Sequence, residues 1–321
     1  MKVPSPQPED SALLVTDSAI DAATETIRGN VLHTPMFRSP GLSDLLSAEI
    51  HLKCELFQPT GSFKVRGVFN KLSTLSVQEK QAGVIAFSAG NHAMAVAYAA
   101  RQAGVEVTIC MPATAVAFKI EAVRDLGAHL ELVEGDLVAR AMAIREERGL
   151  TLIHPFDDPA VVAGAATCGR EIIMDLPTVS TVLVPIGGGG LISGVAVGIR
   201  RANPDCRIIG IEPSSADVVT RSLLAGHPTA FFGSKSIADG LTAPITGAVN
   251  LAHIRTFVDE IVTVDEEDIA AAFGLVVRQG KLAVEPAAGV TVAAVLSGAV
   301  SLQPNEPSCL VMCGGNTDRL A

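Results

Sequence analysis

The sequence has no tryptophan and a single tyrosine, and aromatic residues make up only 4% of it. A chain so poor in flat rings offers few platforms for stacking the bases of single-stranded nucleic acid. Its formal net charge of -10 also leaves it short of the basic surface that grips a phosphate backbone. No nucleic-acid partner is expected, and small-molecule chemistry is the better reading. Cysteine is sparse and scattered: Cys54, Cys110, Cys168, Cys206, Cys309 and Cys313 form neither a CxxC pair nor a Cys/His cluster of ligand spacing. They read as reduced thiols of a cytoplasmic protein. The start, MKVPSPQPED, lacks the basic region and apolar core of a secretory signal and predicts a mobile tail. One uncharged stretch, Leu176 to Ile199, is long enough to cross a bilayer, but Pro185 and four consecutive glycines inside it would leave backbone groups unpaired in lipid. It reads as strand, loop and helix, with no membrane partner.

What is present points to a globular fold. Hydrophobic residues make up 48% of the 321 and charged residues 18%, enough to bury a large core without a disulfide or metal. Short Val/Ile-rich runs alternate with Ala-rich helical stretches, the pattern of an α/β protein with open, mainly parallel sheets flanked by helices. Strands are predicted at 50–54, 84–87, 105–110, 129–133, 151–153, 182–185, 208–212, 261–264 and 309–312. The clearest helices are predicted at 17–28, 91–103, 117–126, 137–147, 160–174, 191–202 and 267–279. So many strands strain one sheet, so two are expected, with a compact unit near 84–155. Residues 226–250 read as a long irregular connection.

Four segments stand at strand ends. Gln58-Pro-Thr-Gly-Ser-Phe-Lys64-Val-Arg-Gly67 follows one strand and opens a helix, where α/β sheets place ligands. Ser88-Ala-Gly-Asn-His92 occupies a similar junction, where free N–H groups and the helix dipole favour an anion. Gly187-Gly-Gly-Gly190-Leu-Ile-Ser-Gly194 lets the backbone wrap a phosphate, yet it fits neither GxGxxG nor a P-loop, leaving a simple phosphomonoester. Val311-Met-Cys313-Gly-Gly-Asn-Thr-Asp318 ends the last strand with a thiol and a glycine pair. Each alone admits an ordinary reading, such as a surface lysine, a helix cap, a tight turn or a small core residue.

In this order the four segments resemble the fold-type II pyridoxal phosphate enzymes, and most closely the serine and threonine dehydratases and serine racemase. The resemblance runs from about His33 to Asp318 and includes His154-Pro-Phe-Asp-Asp-Pro159, Ile237-Ala-Asp-Gly240 and Glu285-Pro-Ala-Ala-Gly289. It implies a tryptophan synthase β-like fold, with residues 1–72 and 160–321 forming a large cofactor-binding domain and 73–159 a small one. It implies pyridoxal 5'-phosphate joined to Lys64, with Phe63 beside the ring, Asn91 on its 3-hydroxyl oxygen and Gly240 beneath it. Gly187, Gly188, Gly189, Gly190 and Leu191 would hold the phosphate. Cys313 would face the pyridine nitrogen, and Glu285 would belong to the same site. Ser88, Ala89, Gly90, Asn91 and His92 would grip the carboxylate of an amino acid substrate. The implied reaction is β-elimination from a β-hydroxy amino acid such as L-serine or L-threonine, giving a 2-oxo acid and ammonia. Relatives form homodimers or homotetramers.

The chemistry suits these residue types. An amine that can lose its proton is needed both to join the aldehyde and to take the Cα proton, which lysine can supply and arginine cannot. A thiol at 313 donates only a weak hydrogen bond, which leaves the ring a milder electron sink and favours prompt elimination over transamination.

The departures are specific. Where racemases of the group carry a serine just before Gly-Asn-His, this chain has Ala89, so dehydration is expected to outrun racemisation. The divalent cation site (Mg or Ca) of the group matches at Glu212 and Ala216, but Val218 replaces its third ligand. Met94 and Ala165 replace two glutamines, through repacking or through a pocket for a bulkier substrate such as phenylserine or hydroxyaspartate. Val65 stands where β-replacing synthases carry aspartate. The chain ends soon after Asp318, so no C-terminal regulatory domain is expected, and a catabolic role fits. A phosphate-ligand binding protein without catalysis is the rival from another class.

Overall fold

The computed structural model describes residues 1–318 and contains two separate sheets. Its strands, in chain order, are β1 (Met36–Arg38), β2 (Ile50–Cys54), β3 (Val84–Phe87), β4 (Val107–Pro112), β5 (His129–Val133), β6 (Thr151–Leu152), β7 (Thr181–Pro185), β8 (Arg207–Pro213), β9 (Glu260–Val264) and β10 (Ser308–Met312). The six-stranded sheet has the order β1-β2-β10-β7-β8-β9, and the four-stranded sheet β5-β4-β3-β6. Every pairing is parallel except that of edge strand β1, which runs antiparallel to β2. Central strands buried on both faces explain why the sequence shows continuous Val/Ile runs here instead of alternation.

Helices cover both sheets. The helix Pro159–Asp175 packs on Gly190–Arg200 at very close range: a Cβ at Gly169 would overlap the Val195 carbonyl oxygen, and one at Gly194 would press on Ala165 at 2.5 Å. Ala165 thus faces a neighbouring helix, and Met94 is buried in the core beside the four-stranded sheet. Both lie outside the cavity described below, so their departure from glutamine is a matter of packing.

Beneath the helix Lys64–Ser73 lies a buried charge network. Arg66 donates to both oxygens of Glu55 at 2.7 and 2.8 Å and to both of Glu171 at 2.6 and 2.7 Å. Lys53 pairs with Glu171 at 2.7 Å. Charges so deeply placed persist only when paired and hydrogen-bonded, and this network ties the start of that helix to β2 and to the helix Pro159–Asp175.

Three expectations are corrected. β4 begins two residues later than predicted, because Val105 N–H turns back to the Ala100 carbonyl to close the preceding helix. Residues 248–250 belong to the helix Ala248–Phe257, where Asp157 accepts from the Val249 N–H at 3.1 Å. The amino-terminal segment is anchored, not a free tail: Lys2 bridges to Glu260, and buried Asp10 pairs with Arg255 at 3.1 Å. Among the described residues, no helix is long and apolar enough to cross a membrane, and 176–199 does form strand, glycine turn and helix.

Candidate active site

The four segments leave the carboxyl ends of β2, β3, β7 and β10, the side of an open parallel sheet where ligands bind. Backbone bonds draw the first and last together. Phe63 N–H donates to the Cys313 carbonyl at 3.1 Å, Gly315 N–H to the Gly61 carbonyl at 2.9 Å, and Asn316 Nδ2 to the Thr60 carbonyl at 2.7 Å. Gly61 has φ +70, and any Cβ there would strike the Asn316 side chain, so the turn before Lys64 depends on glycine.

These segments line one cavity of about 610 Å³. Phe63, Lys64, Ser88, Ala89, Gly90, Asn91, His92, Gly187, Gly188, Gly189, Gly190, Leu191, Gly240, Glu285 and Cys313 all face it. The structure therefore brings together every candidate cofactor and substrate residue named above.

Lys64 begins its helix, and its Nζ donates to the Pro155 carbonyl at 2.8 Å. Burial lowers its pKa to about 8, against the opposing pull of Cys313 and Glu285. Roughly a tenth of this amine is therefore free base at neutrality, far more than for an ordinary lysine, and the free base is the form a nucleophile or general base requires.

Gly187 to Gly190 make the turn from β7 into the helix Gly190–Arg200. A Cβ at Gly188 would overlap the Phe156 ring, and one at Gly190 would press on Phe156 at 2.8 Å. Only glycine lets Phe156 lie that close, and the bare backbone at this helix amino terminus carries unpaired N–H groups of the kind that suit an anion. Thr246 fixes the turn by donating to the Gly188 carbonyl at 3.0 Å. At Gly240 a Cβ would meet nothing nearer than 3.6 Å, so no protein neighbour demands glycine there, and its missing side chain enlarges the cavity.

Asn91 Nδ2 donates to both Glu285 oxygens at 2.8 and 2.9 Å, while its Oδ1 accepts from Asn316 at 2.9 Å. Burial raises the Glu285 pKa to about 7 and that of the Cys313 thiol well above its ordinary value. The buried His92 ring is pushed down to about 3, again chiefly by burial, and is neutral. Its Nε2–H donates to the Ile153 carbonyl at 2.9 Å, which leaves Nδ1 buried without a protein partner.

Several lining groups were not singled out in the sequence. Lys119, Phe87, Phe156 and Phe232 face the cavity, and Asn316 orients Asn91 from behind. Phe156 sits in the quoted motif 154–159, a signal that could have found it; Lys119 and Phe232 carry no local signal. Glu212 lies elsewhere, its carboxylate accepting from the Val219 and Thr220 N–H groups and the Thr220 hydroxyl at the start of the helix Val218–Ala225. Among the described residues, no cluster of three or more His, Cys, Asp or Glu could hold a metal ion.

A titratable amine facing a main-chain anion cradle across one cavity defines a class of protein that uses a phosphate-bearing carbonyl cofactor. Residues 27–314 match the family model described as pyridoxal-phosphate dependent enzyme, and the chain belongs to that family. It is 40% identical over 309 residues to an L-threonine ammonia-lyase of Thermotoga maritima, covering 95% of this chain and 76% of that one. It is 36% identical over 311 residues to a phenylserine dehydratase of Ralstonia pickettii, covering 96% and 95%. Maize serine racemase superposes with a TM-score of 0.90 at 33% identity, covering 95% of this chain and 94% of that one. Pyridoxal phosphate is thus the cofactor that the family implies, and the bare glycine turn, the low-pKa lysine and the open floor at Gly240 fit it.

Proposed function

We propose that this protein is an ammonia-lyase that eliminates the β-hydroxyl of an amino acid such as L-serine or L-threonine, the products being a 2-oxo acid and ammonia. The observation that carries the reading is Lys64 Nζ, buried with a pKa of about 8 in the cavity that the glycine turn also lines. When bound, pyridoxal phosphate supplies the electron sink for the charge left at Cα. Gly187 to Leu191 would hold its phosphate, Phe63, Asn91 and Gly240 would lie beside its ring, and Cys313 and Glu285, both with raised pKa, would meet it as neutral groups at moderately acid pH. Freed as an amine, Lys64 takes the Cα proton, while Ser88 to His92 hold the substrate carboxylate.

Dehydration is favoured over racemisation because Ala89 offers no hydroxyl to return a proton to the opposite face. It is favoured over β-replacement because Val65 is fully buried among apolar neighbours, where an aspartate would be costly. The proposed division, a large domain of 1–72 and 160–321 and a small one of 73–159, follows the two sheets, with residues 319–321 lying outside the described part. No divalent cation enters the proposal, since hydrogen bonds within the protein occupy the Glu212 carboxylate. Six buried, unpaired thiols suit the reducing cytoplasm, and a homodimer or homotetramer is proposed from the resemblance alone.

A second reading concerns the β-substituent. Beside the polar Asp136 and Thr242, the cavity is lined by the apolar side chains of Leu137, Val138, Ala243, Pro244 and Phe232, and Phe232 is 90% exposed. A ring left in water at a site mouth gains most from an apolar ligand. This supports a bulky substituent, as in phenylserine.

The test is release of 2-oxo acid from L-serine, L-threonine, phenylserine and 3-hydroxyaspartate by the wild type, Lys64→Ala and Phe232→Ala. Lys64→Ala is expected to release none, and Phe232→Ala to lower kcat/KM for phenylserine relative to threonine by about tenfold. Wild-type protein that binds cofactor yet releases no 2-oxo acid from any of the four would overturn the elimination reading.

A further inference from the structure

The substrate carboxylate would sit inside the cavity, away from bulk water, and an anion withdrawn from water is held more firmly when a cation joins the main-chain donors. Two cationic side chains face that cavity, Lys64 and Lys119, and His92 is neutral. Lys64 is committed to the cofactor and to the Cα proton. Lys119 belongs to the helix Ala117–Asp125 beside the four-stranded sheet, and only 6% of its side chain is exposed. Its Nζ reaches Asp239 at 2.6 Å, on the short helix Asp239–Leu241 beside the six-stranded sheet. The same Nζ lies 3.3 Å from where a Cβ of Gly90 would stand, so the bare backbone of residue 90 makes room for an ammonium against the segment 88–92.

We propose that Lys119 is the counter-ion of the substrate's α-carboxylate, held by Asp239 until that carboxylate arrives. The inference rests on the amino acid reading given above and adds a positioning charge to it. Asp239 is 53% exposed, so it returns to water at little cost when its partner turns to the substrate. The ammonium then meets the carboxylate beside the N–H groups at the amino terminus of the helix Asn91–Ala103, where helix dipole and side-chain charge act together. Because the bond joins groups beside the two different sheets, its exchange also couples substrate entry to the seam between them.

A merely structural ion pair predicts that losing either partner acts in the same direction. The counter-ion role predicts opposite directions. Calorimetric titration of the cofactor-loaded enzyme with 3-hydroxybutanoate and with its uncharged amide separates the two. The wild type is expected to prefer the acid. Lys119→Met should weaken acid binding by about tenfold or more and leave the amide alone, Lys119→Arg should keep most of the preference, and Asp239→Asn should tighten the acid several-fold by removing the competing carboxylate. KM for the amino acid substrate should follow the same signs with less change in kcat. A wild type without preference for the acid, or Lys119→Met and Asp239→Asn moving affinity the same way or not at all, overturns the proposal. An enzyme that shows the opposite signs but eliminates water from no β-hydroxy amino acid keeps the carboxylate site and loses the proposed reaction instead.

Discussion

Lys64 and Pro155 are 91 residues apart in the chain and meet at 2.8 Å, the lysine Nζ donating to the proline carbonyl. That carbonyl closes the motif 154–159 over the amine and helps to hold it in the cavity while Phe156, the next residue, packs on the glycine turn. One short loop therefore touches both the buried lysine and the glycine turn.

The first prediction concerns pH. With its pKa at about 8, the Lys64 amine loses its proton more than two units below an ordinary lysine. The rate at which apoprotein takes up pyridoxal phosphate covalently should rise with pH and level off above about 8, followed by absorbance. An inflection near 10 would show that burial does not lower this pKa.

A second prediction tests the glycine turn. Gly188→Ala places a methyl group inside the Phe156 ring, and the resulting overpacking, about 1–3 kcal/mol, should displace the turn and weaken cofactor binding by tenfold or more. Phe156→Ala in the same chain removes the obstacle and should restore part of the affinity, measured by equilibrium dialysis. No rescue by the second substitution would mean that Phe156 is not the neighbour that forces glycine.

The third prediction links Glu285 to stability. In the folded chain burial keeps its carboxyl protonated up to about pH 7, against an ordinary value of 4.5. Unfolding then releases a proton between those values, so stability falls as pH climbs through that window and is flat above it. The gap corresponds to about 3 kcal/mol at most. Glu212, raised to about 7 by its own burial, adds a loss of the same sign. Urea unfolding at pH 5 and pH 7.5 should show a smaller decline in Glu285→Gln than in the wild type; equal declines would argue against a protonated Glu285.

The activity panel with Phe232→Ala and the opposite-sign experiment on Lys119 and Asp239 complete the set. The first asks what the cavity mouth accepts and the second what neutralises the carboxylate, so a failure in one leaves the other interpretable.

Much of the site was legible because its parts are local. Four glycines in a row after an apolar run, a lysine just past a strand and an Asn-His pair opening an alanine-rich helix each announce a backbone geometry within a few residues. Other parts could not be read in that way. β1 is three residues long and only its pairing with β2 makes it a strand. The amino-terminal segment looked mobile because nothing in MKVPSPQPED reveals that Asp10 will find Arg255 across the fold. Met94 and Ala165 could be assigned to packing only once the helices around them were in place.

The sequence alone determined the alternation of strands and helices and the glycine turn, because backbone conformation and hydrophobic period are properties of neighbouring residues, and its four ordered motifs singled out Lys64 as the candidate amine. The tertiary structure decided which groups tune that amine and complete its cavity: Pro155 against Lys64, Glu285 against Asn91, Asp239 against Lys119. Burial and charge depend on what the whole chain brings within a few ångströms, and no local stretch of sequence carries that information.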